Sequence, residues 1–192
     1  QPQEAPAIQG KMQPVPDCGE ESYTGSGKLT GRKALVTGGD SGIGRAAAIA
    51  YAKEGADVAI NYLPFEEEDA QEVKAVIEAA GQKAVALQLN AGDVNTFDAF
   101  FSQLKTVLQE KFDTDHFDFL INNAGTALYA PFAETTEEQF DTALNIHYKG
   151  VFFLTQKALP ILNDGGRIIN ISSGLARFAF LGSSAYASMK GA

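Results

Sequence analysis

The sequence predicts an α/β fold built on a doubly wound parallel sheet. From Lys33 onward, short apolar runs alternate with helix-length segments. A glycine-rich turn follows the first run directly and opens the first helix. The residues able to carry chemistry fall at the ends of the runs. Strand–helix alternation forces right-handed crossovers, which leave helices on both faces of a parallel sheet. In such a sheet, ligands sit outside the carboxyl ends of the strands.

Each element follows from its residues. "KALVT" (33–37), "ADVAI" (56–60), "KAVALQL" (83–89), "FDFLI" (117–121) and "GRIINIS" (166–172) read as buried strands. Between them the pattern predicts helices over 42–54, 66–80, 94–112 and 136–162. In the third, Val94, Phe97, Phe101, Leu104 and Leu108 recur at helical spacing and form one apolar face. Residues 1–30 differ: Pro2, Pro6, Pro14 and Pro16 crowd the start, and large apolar residues are sparse. They read as an extended N-terminal tail draped over a domain or a partner, with residues 31–192 as the domain. A sixth strand and its neighbours are expected beyond residue 192, so the C-terminal strands are missing from this reading.

Composition excludes several classes. The formal charge of −9 argues against nucleic-acid or anionic-membrane binding. No apolar run reaches the ~18 residues of a membrane span, and the start lacks the regions of a secretory signal. The single cysteine, Cys18, favours a reducing, cytoplasmic setting. His116 and His147 lack partners at ligand spacing, so no metal site is expected. His116 reads as a loop residue. His147 reads as a helix residue near the site rather than a catalyst.

The turn "VTGGDSGIGRAAAIAYAKEG" carries the cofactor expectation. Gly38, Gly42 and Gly44 let the backbone bend sharply, approach a pyrophosphate and pack the helix on the sheet. Asp40, Ser41 and Ile43 lie between them, at a helix N-terminus that offers N–H groups to phosphate. At the end of the second strand, Asn61 and Tyr62 stand where an aspartate would favour the 2′-hydroxyl of NAD. With Arg45 as the nearest cation, NADP or NAD is expected, with a mild preference for NADP. The block Glu66–Asp69 reads as charge in the first turn of the next helix.

Tyr186 and Lys190 are four residues apart on a helix and share a face. An ammonium beside the phenol lowers the pKa of the phenol, so it can exchange a proton with a carbonyl or alcohol oxygen. Ser173 ends the fifth strand, where its hydroxyl could bind the same oxygen. "NNAG" (122–125) ends the fourth strand with small residues against which a cofactor can lie. Together, Thr37, Gly38, Gly42 and Gly44 of the turn, N-N-A-G and the Ser173, Tyr186, Lys190 set resemble the short-chain dehydrogenase/reductase family, across residues 33–192.

The resemblance implies a Rossmann-type oxidoreductase moving hydride between NAD(P)(H) and a small-molecule carbonyl/alcohol substrate. It implies Tyr186 as acid/base, Ser173 as carbonyl orienter, Lys190 on the nicotinamide ribose and Asn145 as holder of a relay water. Asn122, Ala124 and Gly125 join the cofactor set. Asn90 stands where the family often has an aspartate against the adenine. By the same analogy the full-length protein is a homo-oligomer, with Phe152, Phe153, Ala158 and Leu159 as core or subunit contact. The first half resembles the glucose/ribitol-dehydrogenase-like and aldehyde-reductase branch and the second half another bacterial branch, as in a recombined chain. The rival reading is a catalytically incomplete nucleotide-binding fragment of such an enzyme.

Overall fold

The computed structural model describes residues 8–192; the first seven residues of the expected tail lie outside the described residues. Five parallel strands form one sheet in the order β3-β2-β1-β4-β5. They are β1 Lys33–Thr37, β2 Asp57–Tyr62, β3 Ala84–Gln88, β4 Phe117–Asn122 and β5 Leu162–Asn170. The chain runs outward from β1 through β2 to β3, then returns to lay β4 on the other side of β1. The strand order therefore reverses between β1 and β4, and a crevice opens at their carboxyl ends.

Alternation along the strands sends successive side chains to opposite faces. Leu35, Ala59 and Val85 join the core under α3 (Phe97–Phe112), where Phe97, Phe101, Leu104 and Leu108 are buried on one stripe. Ala34, Val36, Val58 and Ile60 join the other core, against α1 (Gly42–Lys53) and α2 (Glu67–Ala79). At about 25 cal/mol per Å² of apolar area, these two cores supply the main drive to fold. The helix expected from residue 94 begins as a 3₁₀ turn, Val94–Thr96, because the Asp93 carboxylate accepts the Asn95 N–H and caps it there.

The structure departs from the sequence reading in its second half. The helix expected over 136–162 is α4 (Glu137–Leu144), a π-helical turn (Asn145–Gly150) and α5 (Val151–Ala158), closed by a 3₁₀ turn. A π turn takes an extra residue and re-phases every side chain after it. Gly150 lies so close to Ala91 that a Cβ there would stand 2.0 Å from the Ala91 carbonyl oxygen. The strand β5 is not buried as expected: Ile168 is 39% and Ile169 42% exposed. It is an edge strand, with β4 on one side and no strand on the other among the described residues. The final helix, α6, spans Ser184–Gly191.

Residues 8–30 run along α1. Glu20 and Tyr23 offer their carbonyls to the Lys53 ammonium at 2.7 and 2.8 Å. The Glu54 carboxylate accepts the Tyr23 hydroxyl, the Lys28 N–H at 2.9 Å and the Ser26 N–H at 3.0 Å. Those hydrogen bonds, Tyr23 first, lower the Glu54 pKa from 4.5 to about 2. A carboxylate with a depressed folded-state pKa contributes stability above its unfolded value and loses it as pH falls through the folded value. Denaturant midpoints of the native chain therefore fall between about pH 5 and pH 2.5, and Glu54→Gln flattens part of that fall in a urea titration series.

Candidate active site

The site begins with a lock between β1 and β4. The Thr37 hydroxyl accepts the N–H groups of Asn123 and Ala124, each at 2.9 Å. The Asn123 amide donates to the carbonyls of Thr37 and Gly38 at 2.9 and 3.0 Å. Gly44 then seats α1 on this junction, since a Cβ there would lie 1.9 Å from the Gly38 carbonyl oxygen. On the other side, Asn61 accepts the Gly38 N–H at 3.1 Å and donates to the Leu89 carbonyl at 3.1 Å. Thr37, Gly44 and the asparagines thus shape the crevice by holding its walls.

Over this lock lies a cavity of about 770 Å³. The glycine turn lines one end through Gly38, Asp40, Ser41, Gly42 and Ile43, joined by Asn61, Tyr62 and Asn90. Ala124 and Gly125 line its floor, and Ser173, Tyr186 and Lys190 its far end. Nothing lies within 4 Å of where a Cβ on Gly42 would stand, and its φ of +53° favours glycine. The open space beside Ser41, Gly42 and Ile43 at the α1 N-terminus fits the phosphates of a dinucleotide.

At the far end, Ser173 caps a 3₁₀ turn by accepting the Leu175 N–H at 3.2 Å, which leaves its hydroxyl proton free to donate. The Lys190 ammonium donates to the Ile171 carbonyl at 2.8 Å and stands 5.8 Å from the centre of the Tyr186 ring. The Ser172 hydroxyl donates to the Lys190 carbonyl at 2.7 Å, tying α6 to the end of β5. Burial pushes the Lys190 pKa below the usual lysine range.

Four expected residues do not line this cavity: Thr37 and Gly44, which hold its walls, and Asn122 and Asn145. Asn122 holds β4 to its neighbours, donating to Thr155 Oγ1 at 2.9 Å and Asn170 Oδ1 at 2.8 Å, and lines an adjoining cavity. Asn145 lines neither cavity. The π turn brings His147 to the centre instead: it lines both, is 6% exposed, and meets the Tyr186 ring edge-to-face at 5.0 Å. Its Nε2–H donates to the Thr126 carbonyl at 2.8 Å. That bond leaves Nδ1 as a buried acceptor that no protein atom satisfies among the described residues. Burial, then the Lys190 charge, pushes the His147 pKa down. Sequence reasoning placed His147 near the site but gave it no role and favoured Asn145, because helical phase was counted without the π turn. It also passed over Asn123, although Asn123 stands within the quoted N-N-A-G.

The glycine-turn end of the cavity carries titratable groups that the spacing did not reveal. Arg45 is buried and committed to Glu20 at 2.8 Å and Glu72 at 3.2 Å. Asp40 and Glu66 line the cavity beside Tyr62. Burial raises both carboxyl pKa values, and Asp40 and Asp69 add to the shift at Glu66.

A parallel sheet with a glycine turn at its switch point, and a serine, tyrosine and lysine across one cavity from it, defines a Rossmann-type domain with a candidate redox site. The short chain dehydrogenase family profile matches residues 32–192. The chain is 51% identical over 174 residues to the uncharacterized oxidoreductase YghA of Escherichia coli, covering 90% of this chain and 57% of that one. It is similar to the angucycline C-6 ketoreductase LanV with bound NADP (TM-score 0.83, 39% identity, 88% of this chain and 66% of that one). A Burkholderia cenocepacia short chain dehydrogenase in complex with NADP gives a TM-score of 0.76 at 38% identity, with 85% and 64% covered. The chain belongs to the short-chain dehydrogenase family. It spans little more than half the length of YghA, the relative it matches at 51% identity.

If Asp40 and Glu66 border the 2′ position, their charge weighs against a 2′-phosphate. Asp40→Asn and Glu66→Gln should each raise NADPH affinity relative to NADH by roughly fivefold, measured as the ratio of dissociation constants from fluorescence titration. A ratio unmoved by both would place the 2′ position elsewhere.

Proposed function

We propose that the chain carries the catalytic centre of an NAD(P)(H)-dependent oxidoreductase acting on a carbonyl/alcohol pair. The observation that carries this reading is that the glycine turn, Ser173, Tyr186 and Lys190 share one cavity. The NADP in the LanV and Burkholderia structures supports NADP as the cofactor, while the carboxylates at the ribose end support NAD, so both dinucleotides belong in the test.

When bound, the nicotinamide supplies or accepts the hydride. The chain's residues handle the oxygen and its proton. In reduction, the Ser173 hydroxyl donates a hydrogen bond to the carbonyl oxygen, and Tyr186 gives that oxygen its phenolic proton. Lys190 sets a positive charge near the phenolate oxygen that remains. In oxidation the same groups act in reverse. His147 is a positioning residue in this scheme: its ring packs on Tyr186, and its Nδ1 offers an acceptor to a water behind the Tyr186–Lys190 pair. Asn145, which the family resemblance would place in this role, has no part in the scheme.

The second reading is a nucleotide-binding unit whose substrate pocket is incomplete, and the exposed face of β5 favours it. Association of whole proteins through Phe152 and Phe153, 57% and 36% exposed, belongs to the first reading and is checked by the mass from light scattering.

The two readings part in one experiment: NADH and NADPH absorbance followed with aldehydes, ketones and sugars. Turnover that falls by about a hundredfold or more in Tyr186→Phe, with dinucleotide binding kept, supports the enzyme. Binding without turnover of any substrate leaves the nucleotide-binding unit. Where turnover is present, His147→Leu should lower kcat about tenfold with KM nearly constant, while Asn145→Ala leaves both near the starting values. The reverse pattern would return the role to Asn145.

A further inference from the structure

Gln9 is 1% exposed, a burial that a polar side chain tolerates only when its groups are paired. Its Oε1 accepts the Gly42 N–H at 2.7 Å, and its Nε2 donates to Cys18 Sγ at 3.2 Å. The backbone N–H groups of Gln9 and Gly10 both go to the Asp69 carboxylate, at 2.8 and 3.3 Å, and Asp69 is itself buried on α2. Gln9 is therefore anchored before its side chain reaches the turn.

The partner it reaches is the first residue of α1. The leading N–H groups of a helix have no acceptor inside it, and a side chain at the N-cap ordinarily supplies one. Ser41 holds the N-cap position here and makes no such bond. A glutamine 33 residues upstream makes it instead. Gly42 has positive φ and lines the cavity beside the glycine turn, so the capped residue also shapes the bend of that turn. Farther along, Glu20 pairs with Arg45 on the same helix at 2.8 Å, which keeps the strap in register with α1.

We propose that Gln9 is a positioning residue of the cofactor site: by capping Gly42 it sets the glycine turn in its phosphate-receiving shape before the dinucleotide arrives. This rests on the dinucleotide reading above. The cavity remains open beside the turn, so the strap prepares the site and does not plug it. A ligand gripping the turn and a strap gripping the turn then stabilise each other by the same factor.

The test uses Gln9→Met, which keeps the volume and removes the acceptor. Hydrogen exchange at the Gly42 amide should quicken about tenfold in this variant without ligand, and Gln9→Glu, which keeps an acceptor, should restore slow exchange. NADH and NADPH titrations should show affinity about fivefold weaker in Gln9→Met, the size of a lost cap. Adenosine, which has no phosphate, should bind both proteins alike. NADH should also slow trypsin cleavage after Lys11 in the native chain and less so in the variant. Dinucleotide affinity that Gln9→Met leaves unchanged overturns this inference alone. A native chain that binds neither dinucleotide overturns the cofactor reading and this inference together.

Discussion

Everything at the site hangs on the contact between the carboxyl ends of β1 and β4. Thr37 and Asn123 exchange four hydrogen bonds across it, counting the bonds to Gly38 and Ala124. Backbone groups at strand ends have left the ladder and need partners, and buried ones left unpaired cost about 1–3 kcal/mol each. Small side chains meet that need without filling the crevice. The same economy explains Gly44, which brings α1 so near Gly38 that no side chain fits. The dry junction fixes the distance from the glycine turn to the floor at Ala124, and so the width of the cavity.

From that junction the chemistry is a matter of charge placed in poor solvent. Lys190 is half-buried and hydrogen-bonded to a backbone carbonyl, His147 is buried with its pKa pushed down, and the Tyr186 ring lies against both. A cation acts more strongly on a neighbouring hydroxyl where water is scarce. At the end lined by the glycine turn, the Asp40 and Glu66 carboxyl groups border the cavity, while Arg45 is turned away into its own ion pairs. One cavity thus has a lysine at one end and two carboxyl groups at the other, with Ala124 and Gly125 between them.

The strap of residues 8–30 adds a second dependence. α1 is held on one side by the sheet and on the other by Gln9, Glu20 and Tyr23. A proline-rich segment with few large apolar residues has little area to bury, so its attachment must come from hydrogen bonds and ion pairs with α1 and α2. Glu54 and Asp69 are the two anchoring carboxylates.

By itself, the sequence determined the place of the five strands, the helices α1 to α3 and the glycine turn, and it singled out the Ser173, Tyr186, Lys190 set. These rest on local rules: alternation of period two, apolar stripes of period 3.6, and glycine where φ is positive or a backbone must pass closely. Tertiary structure decided what those rules do not reach. The π turn moved His147, rather than Asn145, to Tyr186, because helical phase depends on how Gly150 packs against Ala91. Arg45 was spent on Glu20 and Glu72, and Gly42 was capped by Gln9, because each partner lies 25 or more residues away in the chain and only packing brings it near.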